Sequence, residues 1–198
     1  MTATTSFWKD LIVQTVRDPS QAAARLMAVQ ASREVLWTAL FLVAVLNTLI
    51  YTLTNILVPA QSPLPVAFES PLVFLVIVAG GLVLTVHALY WTGRALGGRG
   101  GLGDILVLMI WLQALRVGVQ AITLVLLLIA PVFAALIAVA AAFVGIWILV
   151  HFINAAHYLG SIPRAAGVLV AAVLALALGL SFILSLIGAT FLGSAAYV

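Results

Sequence analysis

Between Arg116 and Arg164 the chain contains no Asp, Glu, Lys or Arg. As one straight helix that run would be roughly 70 Å long at about 1.5 Å per residue. The hydrocarbon core of a bilayer is only about 30 Å thick. Nor could water accommodate it. The chain is 66% hydrophobic and 7% charged, whereas a soluble domain carries about 25% charged residues. The sequence therefore reads as an integral membrane protein, with the uncharged run folded into two spans joined by a tight turn at Ala130-Pro131. Pro131 suits the first position of a helix, where its missing N–H costs nothing. The competing picture is one long tilted helix kinked at the proline, but tilt absorbs only modest excess length.

Cutting the rest of the chain at charges and prolines gives an all-α bundle of five spans, at about 35–58, 71–92, 104–129, 131–157 and 165–192. The prolines of VPAQSPLP end the first. Residues 1–33 form an N-terminal arm ahead of the transmembrane domain at 34–198. Lys9, Arg17, Arg25 and Arg33 lie in the arm, Arg94 and Arg99 in the second-to-third loop, and Arg164 in the fourth-to-fifth loop. Five spans put all three regions on one side, which the bias of Lys and Arg makes the cytoplasm. The expected placement is a multi-pass protein of the cell inner membrane, N-terminus cytoplasmic and C-terminus outside. Arg116 alone breaks the rule.

The arm is amphipathic. Phe7, Trp8, Leu11 and Ile12 share one helical face, which Thr15 interrupts. In Asp18-Pro19-Ser20-Gln21, Asp18 is placed to cap a second helix, Pro19 to open it and Gln21 to reach back. The arm either lies in the cytoplasmic interface with Trp8 as anchor or packs on the membrane domain or a partner.

GRALGGRGGLGD at 93–104 raises the question of a phosphate site. A Walker loop needs Gly-Lys-Ser/Thr after a strand, and neither is present. Gly98, Gly100 and Gly103 match GxGxxG formally. A membrane span precedes them, however, and no Asp or Glu follows Asp104, so the dinucleotide reading lacks its context. The simpler reading is structural. Gly97, Gly98, Gly100, Gly101 and Gly103 reverse the backbone, and Asp104 caps the third span against its positive dipole end. Arg94, Arg99 and Arg164 meet anionic headgroups.

LGGRGGLGDILVLMIWLQAL at 96–115 resembles the loop and third span of the Yip family, five-span membrane proteins named for interaction with Rab-type GTPases. RDPSQAAARLMAVQASREVLWTALFLVAVL at 17–46 resembles the start of its bacterial members. The resemblance implies a role in membrane organisation or trafficking for eukaryotic members and an undefined role for bacterial ones. Members often have a proline within the third span, where this chain reads Leu115-Arg116-Val117. Seven arginines to one lysine and an alanine-rich composition suggest a GC-rich bacterial genome, in which a Rab-type GTPase is not an expected partner.

Arg116 lies about 18 Å into the membrane from Asp104. An arginine there costs at least about 2.5–3.5 kcal/mol on insertion scales. Gln113 and Gln120 share its helical face. In the first span Asn47, Tyr51 and Asn55 recur every four residues, with Asn47 at a depth similar to that of Arg116. The two stripes are expected to face each other, with Arg116 bonded to amide oxygens and Tyr51. Such a site would fix helix packing, bind an anionic headgroup or other anion, or meet a partner subunit.

His87 and His151 lie at a shared depth of roughly 10 Å, with Asn154, His157 and Tyr158 near them. Two imidazoles can hold a metal or relay protons, but a third strong ligand is missing, so no metal or other cofactor is expected. With no cysteine, thiolate chemistry and disulfides are excluded. The spans also contain no interior Asp or Glu for acid–base work. A net charge of +3 with scattered bases gives no nucleic-acid footprint. The small-residue ridges Gly80-Gly81, Ala138/Ala141/Gly145 and Ala172/Ala175/Gly179 read as packing or docking surfaces. The leading expectation is a non-enzymatic organising, assembly or accessory factor that binds lipids or a larger membrane complex. The alternative is a small transporter or channel using the polar region around Arg116.

Overall fold

A computed structural model describes residues 5–59 and 70–193. Most of VPAQSPLP and the last residues of the chain lie outside that range. Two short helices, α1 (Thr5–Arg17) and α2 (Pro19–Met27), precede five long ones: α3 (Arg33–Leu57), α4 (Pro71–Ala95), α5 (Leu102–Ile129), α6 (Pro131–His157) and α7 (Ile162–Gly193). All five long helices are apolar and long enough to cross a membrane. The protein is a multi-pass membrane protein.

The helix boundaries follow local chemistry. Asp18 caps α2 through Gln21 N–H at 3.0 Å, with Pro19 in the first turn. The Gln21 carboxamide does not reach back; it accepts from Gln14, which in turn accepts from Arg25. Ser32 caps α3 through Val35 N–H, and α3 ends just before Pro59. The helix break between α5 and α6 falls at Ala130, with Pro131 opening α6. The uncharged run is therefore a hairpin of two spans, as the proline and the bilayer thickness require. At the α6–α7 turn Tyr158 adopts a left-handed conformation with φ 54°.

Around the bundle the order is α3, α4, α7, α6, α5, and α5 closes the ring onto α3. Packing is uneven along the axis. Nearly all buried residues belong to the half that carries the arm: Leu36, Leu40 and Val43 on α3, Val86 and Leu89 on α4, Leu106 and Leu108 on α5, Ile148 and Phe152 on α6, Val168 on α7. In the opposite half only Leu124 and Ala134 are fully buried hydrophobics among the described residues. Here the walls include Gly81 on α4 and Ala134, Ala135 and Ala138 on α6, and a Cβ built on Gly81 meets nothing within 4 Å. Side chains this small leave space between the helices unfilled, so the bundle is tight at the arm end and open at the other. Outward-facing Val132, Phe143, Leu178 and Phe182, each about 70% exposed, present the apolar exterior that a bilayer solvates.

The arm packs on the membrane domain. Helix α2 lies across α5 and α6 and buries Ala22, Ala23 and Leu26. Helix α1 folds back on α2 and buries Leu11 and Thr15. Phe7, Trp8 and Ile12, expected to share the buried face with Leu11, remain roughly 40% exposed. The docking edge is therefore rotated from the one that periodicity selects.

Candidate functional site

The open half of the bundle holds a groove of about 680 Å³ between α3, α4, α5 and α6. This falls within the range of about 300–1,000 Å³ usual for small-molecule sites. Asn47, Tyr51 and Asn55 line it from α3, and Gln113, Arg116 and Gln120 from α5. The two polar stripes thus line one cavity. Thr54, Thr85 and Thr123 extend the polar lining. Gly81, Ala134, Ala135 and Ala138 form a smooth apolar wall on α4 and α6.

Direct bonds between the stripes are not formed among the described residues. Asn47 Nδ2 donates to the Val43 carbonyl of its own helix at 2.9 Å. Thr54, Thr85 and Thr123 do the same with Ile50, Gly81 and Val119. Tyr51 stacks flat on Phe74 of α4, ring centres 3.8 Å apart and 5° from parallel. Arg116 is exposed to the groove, and no Asp or Glu among the described residues lies within ion-pair reach of it. Gln120 Oε1 is buried in the groove wall without a hydrogen-bond partner among the described residues. A buried amide oxygen left unpaired costs about 1–3 kcal/mol. Among the described residues the site therefore holds a cation with no carboxylate beside it and an acceptor with no donor.

At the arm end the glycine loop has a mechanical task. His157, the last residue of α6, is 1% exposed, and its Nε2 lies 3.1 Å from the Leu89 carbonyl of α4. Its ring fills space that side chains at Gly93 and Gly98 would occupy. A Cβ on Gly98 would sit 2.7 Å from His157 Cβ, and one on Gly93 would fall inside the ring's van der Waals envelope. Gly100 packs against the Ala156 carbonyl with the same intolerance. Arg99 N–H donates to the His157 carbonyl at 3.0 Å, capping α6 from outside. Gly97 turns the chain at φ 90°, a conformation that side chains resist. Asp104 completes the start of α5 by accepting from Gly101 N–H at 3.0 Å, so the helix begins at Leu102, two residues ahead of the expected start. Gly103 meets only Leu36 at ordinary contact distance. The loop is a collar around the end of α6.

The other members of the histidine group have separate partners. His87 Nδ1 lies 2.8 Å from Val83 O, and its ring stacks on Trp37. His151 Nδ1 lies 2.8 Å from Trp147 O, with the Trp147 ring beside it. Asn154 Oδ1 accepts from Ser161 N–H and closes the α6–α7 turn. Among the described residues no three His, Cys, Asp or Glu side chains group as metal ligands. Arg94 lies over the Tyr90 ring at 5.7 Å, and Arg94, Arg99 and Arg164 are all exposed at this end.

One contact was not expected from the sequence. Thr15, which interrupts the apolar face of α1, is fully buried. Its hydroxyl donates to Leu11 O at 2.7 Å and accepts from Trp111 Nε1 at 2.9 Å. Trp8 stacks on the same indole, 5.9 Å between centres. Trp111 lies nine residues into α5, about 13 Å along it, so α1 is held below the helix ends rather than over them. The only advance signal was a hydroxyl on an otherwise apolar face.

The chain matches the Yip1 domain over residues 13–196. It belongs to the Yip1 family. The match runs from the middle of α1 to the end of the fifth span and so includes collar, groove and most of the arm. No match was found among curated proteins or solved structures.

Proposed function

We propose that this Yip1-family protein is a non-enzymatic organising or accessory factor of the cell inner membrane, and that it works by binding lipids and a larger membrane protein complex. The observation that carries this reading is how its polar side chains are used. Asn47, Thr48, Thr54, Thr85, His87, Thr92, Thr123 and His151 each bond or approach the carbonyl four residues back on their own helix. Hydroxyls and amides bonded this way spend a donor within their own helices, which supports a structural use of most polar side chains in the spans. What is left for ligands is surface: the outer face of α1, the basic residues of the arm end, and the groove. The basic residues also support an arm end that faces the cytoplasm.

The test is gentle purification. Extracted in mild detergent or native nanodiscs, the protein should carry a stoichiometric membrane partner or a defined lipid complement. Purification with neither, at full yield and with native unfolding behaviour, would refute the proposal. A second reading, a small transporter, is favoured by the groove itself, since Arg116 and its amide neighbours line an opening into the bundle. Liposomes answer that question: sustained solute flux abolished by Arg116→Leu would replace the accessory reading with transport.

A further inference from the structure

We infer that the groove is a binding site for an anionic phospholipid, with its phosphate at Arg116 and an acyl chain along the wall of α4 and α6. The inference deepens the lipid-binding half of the proposed function and rests on it.

The cavity has two chemistries on opposite sides. On one, Arg116 is exposed to the groove with no carboxylate in reach among the described residues. An ionised guanidinium in a bundle of apolar spans is strongly drawn to an anion, and its planar donors suit phosphate. Gln113 lies one turn before it and Gln120 one turn after, and both line the same space. Gln120 Oε1 has no donor among the described residues, a gap that the hydroxyl of a glycerol headgroup fits. On the other side, Gly81, Ala134 and Ala138 leave a smooth, mostly apolar channel, in which the Thr85 hydroxyl is already bonded to the Gly81 carbonyl. A free inorganic anion would use the first side and leave the second exposed. A zwitterionic lipid would bring its own cation beside Arg116. A ligand joining a net negative phosphate to a hydrocarbon chain satisfies both sides, and the surrounding bilayer supplies it.

Access follows from the uneven packing. The collar, the arm and the buried core close the arm end, while the groove lies in the loosely packed half. Asn55, Tyr51 and Thr54 continue the polar lining from Arg116 toward the end of α3. A headgroup entering from the leaflet at that end therefore has polar contacts along its path.

The experiment uses the full chain in nanodiscs of phosphatidylcholine with and without phosphatidylglycerol. Lipid retained after transfer to detergent is read by native mass spectrometry, and the midpoint of unfolding by thermal denaturation. Phosphatidylglycerol should be retained at least tenfold over phosphatidylcholine and should raise the midpoint. Arg116→Leu should abolish that preference, and Arg116→Lys should keep part of it. Ala138→Phe, which fills the apolar wall and leaves the arginine in place, should reduce retention of both lipids. If Arg116→Leu fails to fold, the lysine and phenylalanine variants decide the matter in the same way. Millimolar inorganic phosphate should not reproduce the midpoint shift; if it does, the site takes a free anion and the inference fails. Tight retention of phosphatidylglycerol unchanged in every variant would also overturn the inference, while leaving lipid binding elsewhere on the protein intact. No retained lipid in the unmodified chain would overturn this site and the lipid half of the proposed function together.

Discussion

Replacing Gly93 by alanine adds one methyl group at the most crowded point of the collar. Its position would be 2.5 Å from His157 Cδ2 and closer still to Nε2 and Cε1. The His157 ring is buried and tied to the Leu89 carbonyl, so it has no free rotamer to retreat into. Overpacking of a filled site costs about 1–3 kcal/mol, and loss of the Leu89 contact adds about 0.5–1.5 kcal/mol. Against this, alanine in place of glycine in a helix returns about 1 kcal/mol. The net expectation is a loss of about 0.5–3.5 kcal/mol. Combining Gly93→Ala with His157→Ala removes the ring that obstructs the methyl. In that background Gly93→Ala should be neutral or stabilising by up to about 1 kcal/mol, leaving a coupling energy of about 0.5–4.5 kcal/mol in a double-mutant cycle. Reversible unfolding by SDS in mixed micelles measures all four proteins. Gly80→Ala is the internal control, since a Cβ there meets nothing within 4 Å. If Gly93→Ala unfolds at the same SDS fraction as Gly80→Ala, the collar does not grip His157 and the reading of the glycine loop is wrong.

Further outcomes follow from the same geometry. Thr15→Val should remove the Trp111 hydrogen bond at a cost of about 0.5–1.5 kcal/mol; proteolysis of the arm should accelerate, and unchanged cleavage would refute the lock. Asp104→Ala should destabilise the start of α5 by about 0.5–2 kcal/mol, the usual cost of a lost helix cap, with Asp104→Asn intermediate in the same unfolding assay. Because the chain has no cysteine, single cysteines placed near each end can be labelled in intact cells. The bias of arginines predicts that only the C-terminal one reacts with an impermeant reagent, and equal labelling of both would contradict the five-span topology.

Much of this architecture could be read without coordinates, because the solvent dictated it. A run of uncharged residues too long for one span, interrupted by Pro131, has few solutions in a bilayer, and the hairpin is the one found. Asp18, Pro19 and Asp104 act through backbone groups within three residues of themselves, so their roles as helix starters were visible locally. The shared depth of Asn47 and Arg116 likewise placed their stripes on one cavity, since distance along a helix is linear in residue number. Other features depend on helix order and rotation, which periodicity leaves free. Gly93, Gly98 and Gly100 spelled a nucleotide-like motif, and only the arrival of α6 beside them showed that they make room for His157. Thr15 looked like a flaw in an apolar face until Trp111 of α5 met it. His87, His151, Asn154 and His157 looked like one group and proved to have separate partners. The sequence by itself determined how many helices are long and apolar enough to cross a membrane and which residues open α2 and α6, because desolvation and capping act on neighbours along the chain. Tertiary structure alone decided which end is packed and which is open, because that depends on side-chain volumes summed across helices distant in sequence.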